Sequence, residues 1–301
     1  MNYIVSGGTG FVGQHLVSAL EKEGNHIFVL TRNPKKHTNS LNITFIDFTY
    51  PGEKLPPIEG VVNLAGESLF GYWTKEKKKK ILESRINTTQ KVVHLMETLQ
   101  EKPRVFISGS AIGFYGVSED LIFTEASTEP GNDFLADVVV KWENEARKAT
   151  DLGIRTVFTR FGVILGKDNG ALPFMTLPVK WFAGGKLGNG EQWMSWVHVE
   201  DVVRMIRFCM DNESIQGPIN VTAPNPKRNI DFMKTLTKTI KRPFWFHTPS
   251  PLLNLVTGEM SQLILKGQYV LPRKAEDHQY SFSYPYLEEA LQSLLKDKDH
   301  N

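Results

Sequence analysis

Short, mostly apolar runs alternate with longer stretches of helical period through the first two-thirds of the chain. Residues 3–6, 27–30, 43–47, 60–64, 104–108 and 155–160 are rich in β-branched side chains, as strands covered on both faces are. Between them, residues 10–23, 81–99 and 134–150 carry helical patterns. This alternation predicts an α/β fold, a Rossmann-type doubly wound parallel sheet. After about Gly166 the pattern loosens. Residues 181–193 mix glycine with large aromatics in a loop-like stretch. Residues 218–222 read as one more strand. Pro224 and Pro226 then punctuate, and 229–301 alternates helices with proline breaks, so a smaller, mostly helical C-terminal lobe is expected.

The chain has 301 residues, about twice a typical domain of ~150. A net charge of +2 offers no global field for nucleic acid or an anionic membrane. The basic run Lys75-Glu76-Lys77-Lys78-Lys79-Lys80 lacks an aromatic ladder and reads as a solvated helix start. The single cysteine, Cys209, excludes an internal disulfide and lies in an apolar helical stripe, as a packing residue does. No apolar run reaches the ~20 residues of a membrane helix. Tyr3-Ile4-Val5 runs straight into glycines, unlike a secretory segment. A soluble cytoplasmic protein is expected.

Gly7-Gly8-Thr9-Gly10-Phe11-Val12-Gly13 follows the first strand and opens the first helix. Gly8, Gly10 and Gly13 satisfy the dinucleotide pattern G-x-G-x-x-G in the context that gives it meaning. Gly8 is expected at the tight turn, Gly10 where backbone approaches a pyrophosphate, and Gly13 where helix packs on strand. About 20 residues on, NAD sites carry a carboxylate for the ribose hydroxyls. Here Leu30-Thr31-Arg32-Asn33-Pro34-Lys35 has none, and Arg32 suits a 2′-phosphate. The expected cofactor is NADP(H). Asp47, ending the third strand, either accepts from the adenine amino group or caps the next turn. Leu64, Ala65 and Gly66, beyond the fourth strand, allow backbone contact with a ribose. The expected organisation is therefore a cofactor domain at 1–166, to which 196–224 returns. Residues 167–195 and 225–301 form a substrate lobe with a small C-terminal domain at about 245–295.

These residues resemble the extended branch of the short-chain dehydrogenase/reductase superfamily, which includes nucleotide-sugar epimerases. The resemblance rests on the glycine loop, on Asn63-Leu64-Ala65-Gly66, and on the segment from Ser108 through Ser110 to Gly116. It extends through Arg160–Gly166 and Ser195-Trp196-Val197-His198-Val199-Glu200-Asp201. Gly258-Glu259-Met260-Ser261 and Phe282-Ser283-Tyr284-Pro285 are similar to "epimerase family" proteins with a small C-terminal domain of unassigned function. The resemblance implies a catalytic Asn-Ser-Tyr-Lys tetrad. It places Asn87 and Ser110 in that tetrad, and Ser108 beside the cofactor. The tyrosine and lysine positions hold Phe134 and Val138. Neither can titrate, and a positioned proton-transfer group is worth ~10²–10⁴-fold. Ser110 is left to polarise a carbonyl.

Lys141, Tyr115 and Glu67 are substitute proton donors, or else a solvated lysine, a packed tyrosine and a loop carboxylate. His198 and Asp201 read mainly as a backbone-bonding histidine and a helix cap. Trp73, Trp181, Trp193 and Trp196 line a substrate cleft or pack the lobes. The favoured function is an NADP(H)-dependent oxidoreductase or epimerase-like enzyme acting on a carbonyl compound or nucleotide sugar. The alternatives are a non-catalytic NADP(H) sensor or scaffold, and an interaction protein with a vestigial nucleotide site. The resemblance implies a monomer, or a homodimer through helices 81–99 and 134–150.

Overall fold

In a computed structural model, which describes residues 1–295, seven strands form one all-parallel sheet. They are β1 (Asn2–Ser6), β2 (His26–Leu30), β3 (Ile43–Ile46), β4 (Gly60–Asn63), β5 (Val105–Ala111), β6 (Arg155–Phe161) and β7 (Gly217–Val221). Their spatial order is β7-β6-β5-β4-β1-β2-β3. The order reverses between β1 and β4, and such a switch point opens a ligand crevice at the carboxyl ends of the strands. Ser6 pairs in register with Leu30 on one side and Asn63 on the other, so three strand exits meet there.

Helices cover both faces. α1 (Phe11–Lys22) and α5 (Val199–Asp211) pack Leu16, Leu20, Met205 and Ile206 on Val5, Val29 and Ile107. α2 (Lys75–Thr98) and α3 (Phe134–Arg147) cover the other face, where Val92, Met96 and Ala146 meet Ile4, Val61 and Phe106. Strand side chains alternate between faces, so each uninterrupted apolar strand feeds two cores. The basic run is the helix start expected: it forms the first turns of α2, whose Thr74 cap accepts from Lys77 N. β5 runs on to Ala111, past the expected end at Ser108. Cys209 is fully buried, and burial pushes its thiol up to about 12.

The lobe contains α4 (Leu172–Lys180), α6 (Asn229–Thr239), α7 (Ser250–Thr257), α8 (Gln262–Leu265), α9 (Arg273–Asp277) and α10 (Leu287–Leu295). Leu172, Val179, Phe232, Leu236, Leu291 and Trp196 form its core. One short parallel pairing, Tyr269–Val270 with Ile122–Phe123, stitches it to the sheet domain, and another, Trp196–His198 with Val163–Leu165, ties the returning segment to the exit of β6. The last residues of the expected lobe, 296–301, lie outside the described residues. Among the described residues no helix is long and apolar enough to cross a membrane.

Candidate cofactor and active site

The glycine loop leaves β1 and reaches α1 within five residues. The sharp turn falls on Gly7, at φ +76°, and not on Gly8 as expected. A Cβ on Gly7 would lie 2.7 Å from Ala65 N, so the loops after β1 and β4 touch backbone to backbone. Gly8 is instead packed on β2, where a Cβ would stand 2.9 Å from Val29 Cγ1. Gly13 does pack helix against loop: its Cβ would fall 2.1 Å from Gly7 O. Thr9 and Gly10 are exposed, Phe11 and Val12 partly so. Gly10 caps α1 without a side-chain bond, leaving the first-turn N–H groups facing outward as an anion site.

Arg32 is exposed at the exit of β2, and Thr31 beside it is bonded through its backbone to Ile46. Asp47 takes the turn role. Its Oδ1 accepts from Thr49 N at 2.8 Å and Thr49 Oγ1 at 2.6 Å, and the side-chain bond first holds its carboxyl below the ordinary range. Past β4, Leu64, Ala65 and Gly66 are exposed or half-buried. Glu67 forms a 2.7 Å pair with Lys77. That bond, assisted by the fields of Lys80 and Arg32, outweighs partial burial and keeps the Glu67 carboxyl ionised below its usual range. It holds no proton to donate.

Arg85 is the site residue that motif matching does not find. Its guanidinium donates to Glu67 O at 3.2 Å and Ile81 O at 2.9 Å, and stacks near Trp142. A Cβ on Gly66 would lie 3.2 Å from Arg85 Cζ. Burial pulls the guanidinium down to about 10. The signal in the sequence is a charge on the buried stripe Ile81, Arg85, Thr89, Val92, Met96. Thr89, one turn on, accepts from Asn63 Nδ2 and Trp142 Nε1. Asn87 stands two residues from Arg85, hence on the opposite side of α2, and is exposed. The helix face toward the strand exits carries Arg85 where the resemblance expects an asparagine.

Ser110 is likewise not presented to the crevice. It is 2 % exposed, and its hydroxyl donates to Glu143 Oε1 at 2.6 Å. Glu143 in turn binds Arg160 through two 2.8 Å bonds, and Arg160 lies 3.5 Å over the Phe114 ring. Ser108 is fully buried, with its hydroxyl turned to Gly109 O. The half-buried residue at the strand end is Ala111, which has no polar atom on its side chain. Tyr115 donates to Asn220 Oδ1 at 2.7 Å, and burial raises its phenol. Lys141 points to solvent in a 2.7 Å pair with Asp137. Phe134 and Val138 pack with Trp73, Ile81, Leu69 and Met260. An apolar cluster thus stands where the resemblance expects a titrating pair.

The late segment is structural. His198 Nδ1 accepts from Glu200 N and caps α5, and its Nε2 meets Ser293 Oγ. The cap expected of Asp201 therefore belongs to His198. Asp201 accepts from Ser283 N and Tyr284 N, fixing the C-terminal segment. Trp196 is core, Trp193 packs on Tyr269 and Arg228, and Trp181 is exposed. The uncapped α1 terminus and the glycine cradle that Cβ atoms would fill suit a dinucleotide, and Arg32 adds an exposed cation at the exit of β2.

A model of the NAD dependent epimerase/dehydratase family matches residues 3–222, and a model of a domain of unknown function, DUF1731, matches residues 248–294. The epimerase family protein YfhF of Bacillus subtilis is 46 % identical over 302 aligned positions, covering 99 % of each chain. An epimerase family protein of Staphylococcus epidermidis is 40 % identical over 296 positions, 98 % of this chain and 99 % of that one. The solved structure of human epimerase family protein SDR39U1 with NADPH superposes with a TM-score of 0.88 at 28 % identity, covering 98 % of this chain and 99 % of that one. A nucleoside-diphosphate sugar epimerase from Corynebacterium glutamicum gives 0.78 at 30 % identity, over 98 % of this chain and 58 % of that one.

Proposed function

The chain belongs to the NAD dependent epimerase/dehydratase family, and on that premise we propose that it is an NADP(H)-dependent oxidoreductase whose site works without the tyrosine–lysine pair. The observation that carries this reading is the combination of an open glycine cradle with Arg32, and not a carboxylate, at the exit of β2. The description of the human relative with NADPH supports the phosphorylated cofactor.

The cofactor, when bound, supplies hydride-transfer chemistry. Gly7 to Gly13 and the α1 terminus bind its pyrophosphate, and Arg32 holds the 2′-phosphate. Arg85, pinned by two carbonyls, steers the ribose side along Leu64, Ala65 and Gly66. Ser110 acts through Glu143, as a positioning residue for the end of β5. Phe134, Val138 and Trp73 keep water off one wall of the site, and a proton needed at the mouth comes from solvent there. Residues 1–166 with 196–224 form the cofactor unit in this reading. The lobe of 167–195 and 225–301 holds a small-molecule substrate over it, in a cytoplasmic monomer or homodimer.

The test is binding and oxidation of NADPH and NADH against a panel of carbonyl compounds and nucleotide sugars. NADPH should bind at least tenfold more tightly, with turnover of a carbonyl compound. Firm NADPH binding without turnover across the panel would sink the enzymatic reading. The apolar packing of Phe134 and Val138 favours a second reading, a non-catalytic NADP(H) sensor. A sensor must bind NADPH and NADP⁺ with different affinities, because a ligand without differential affinity shifts no equilibrium. Equal affinities, measured by calorimetry, would remove it.

A further inference from the structure

We propose that the mouth of this site takes an uncharged, mainly apolar molecule of the aliphatic or aromatic ketone class, and not a nucleoside diphosphate sugar. This rests on the NADP(H) reading and names the substrate class of the same site.

Phe70, in the segment after β4, stacks on Phe174 of α4 with centroids 4.4 Å apart, yet both remain exposed, at 42 % and 61 %. Tyr72, in the same segment, donates to Leu255 O at 2.8 Å, and the Leu255 side chain is 75 % exposed. Met260 links this rim to the interior. Its sulfur accepts from Gly71 N at 3.1 Å, and it packs with Phe134 and Val138. Apolar side chains therefore extend from the tetrad positions outward to α4 and α7. Exposed apolar patches of this kind mark binding surfaces. Continuity with the reacting end of the site points to a ligand of that site.

Charge favours the same class. Two lysines at this rim are paired, Lys77 with Glu67 and Lys78 with Glu259. A diphosphate brought against these aromatic and aliphatic side chains gives up its hydration, which is costly unless a cation meets it. A ketone carries no such penalty. The C-terminal segment matched as a domain of unknown function supplies Leu255, Glu259 and Met260, so its contribution is one wall of the mouth.

The test is calorimetric titration of the full chain with 2-nonanone and, in parallel, UDP-glucose, each with and without NADPH. 2-Nonanone should bind saturably at one site, and UDP-glucose should not. Phe174→Asp and Leu255→Asp sit at exposed positions and leave the core untouched. Each should weaken ketone binding by roughly tenfold or more while NADPH affinity is unchanged. Tighter binding of UDP-glucose than of ketone overturns the proposal. So does ketone affinity that neither variant alters. A homodimer that Phe174→Asp splits, in a protein that binds no ketone, assigns the patch to a second copy and also overturns it. Loss of NADPH binding with ketone binding retained supports the apolar mouth and refutes the cofactor reading instead.

Discussion

The hydroxyl of Ser110 donates to Glu143 Oε1 at 2.6 Å, and both residues are almost wholly buried. The same carboxylate oxygen accepts from Arg160 Nε at 2.8 Å. Burial opposes the charge on Arg160, but the bonds to Glu143 outweigh it and hold the guanidinium above its usual range. The serine at the end of β5 is thus tied into an ion pair bridging β6 and α3.

That arrangement separates two substitutions. Glu143→Ala leaves the Arg160 charge buried without a partner and should cost about 3–5 kcal/mol of stability. Ser110→Ala removes one donor to the charged carboxylate while the ion pair survives, and should cost less, about 1.5–3 kcal/mol. Urea denaturation of both variants checks this. Equal losses would mean that the two bonds are not ranked as their charges suggest.

Arg32 should set the choice between cofactors. Arg32→Ala should weaken NADPH binding by roughly tenfold or more, since a charge-assisted bond is worth about 1.5–3 kcal/mol. NADH binding should be nearly unchanged. Unaltered NADPH affinity in fluorescence titrations would assign Arg32 to solvent.

Gly13 leaves no room for a side chain. In Gly13→Ala the new Cβ would sit 2.1 Å from Gly7 O and 2.7 Å from Gly8 Cα, so the loop must shift. The expected cost is about 1–3 kcal/mol, together with loss of NADPH binding. A variant with native melting temperature and native NADPH affinity would contradict the packing described here.

His198 should make stability depend on pH below neutrality. Burial, assisted by the field of His15, lowers its pKa to about 4 from an ordinary value of 6.5. Its folded pKa is depressed, so the folded state resists protonation. The stabilisation is complete above pH 6.5 and is lost as pH falls from 6.5 toward 4. Over that window the loss should be roughly 3 kcal/mol. His198→Asn keeps a side chain able to cap α5 and should flatten the dependence relative to the native protein in urea midpoints. Parallel pH profiles would exclude His198 as the titrating group.

The opening βαβ was legible because it is local. Strand period, glycine spacing and helix period are all contained in residues 2–30, and each is written by neighbours in the chain. Even there, the turn expected at Gly8 falls on Gly7, and the contact that needs a glycine at position 8 comes from Val29 on the adjacent strand. That Phe134 and Val138, at the positions where the resemblance expects a titrating pair, carry no titratable group was equally visible, since side-chain chemistry needs no fold to read. What these two residues do instead was not visible, because their partners Trp73, Ile81 and Met260 come from distant segments.

Composition and local pattern therefore determined the fold class and the glycine loop, and showed that Phe134 and Val138 carry no titratable group. Only the tertiary structure decided that Ser110 serves Glu143, that Arg85 and not Asn87 faces Gly66, and that His198 and not Asp201 caps α5. Each of those depends on which side of a strand or helix meets an element far away in sequence. A one-residue change of register or 100° of helix rotation reverses such a contact. Burial of the resulting pairs, which sets their charge and their stability, exists only once the layers have closed.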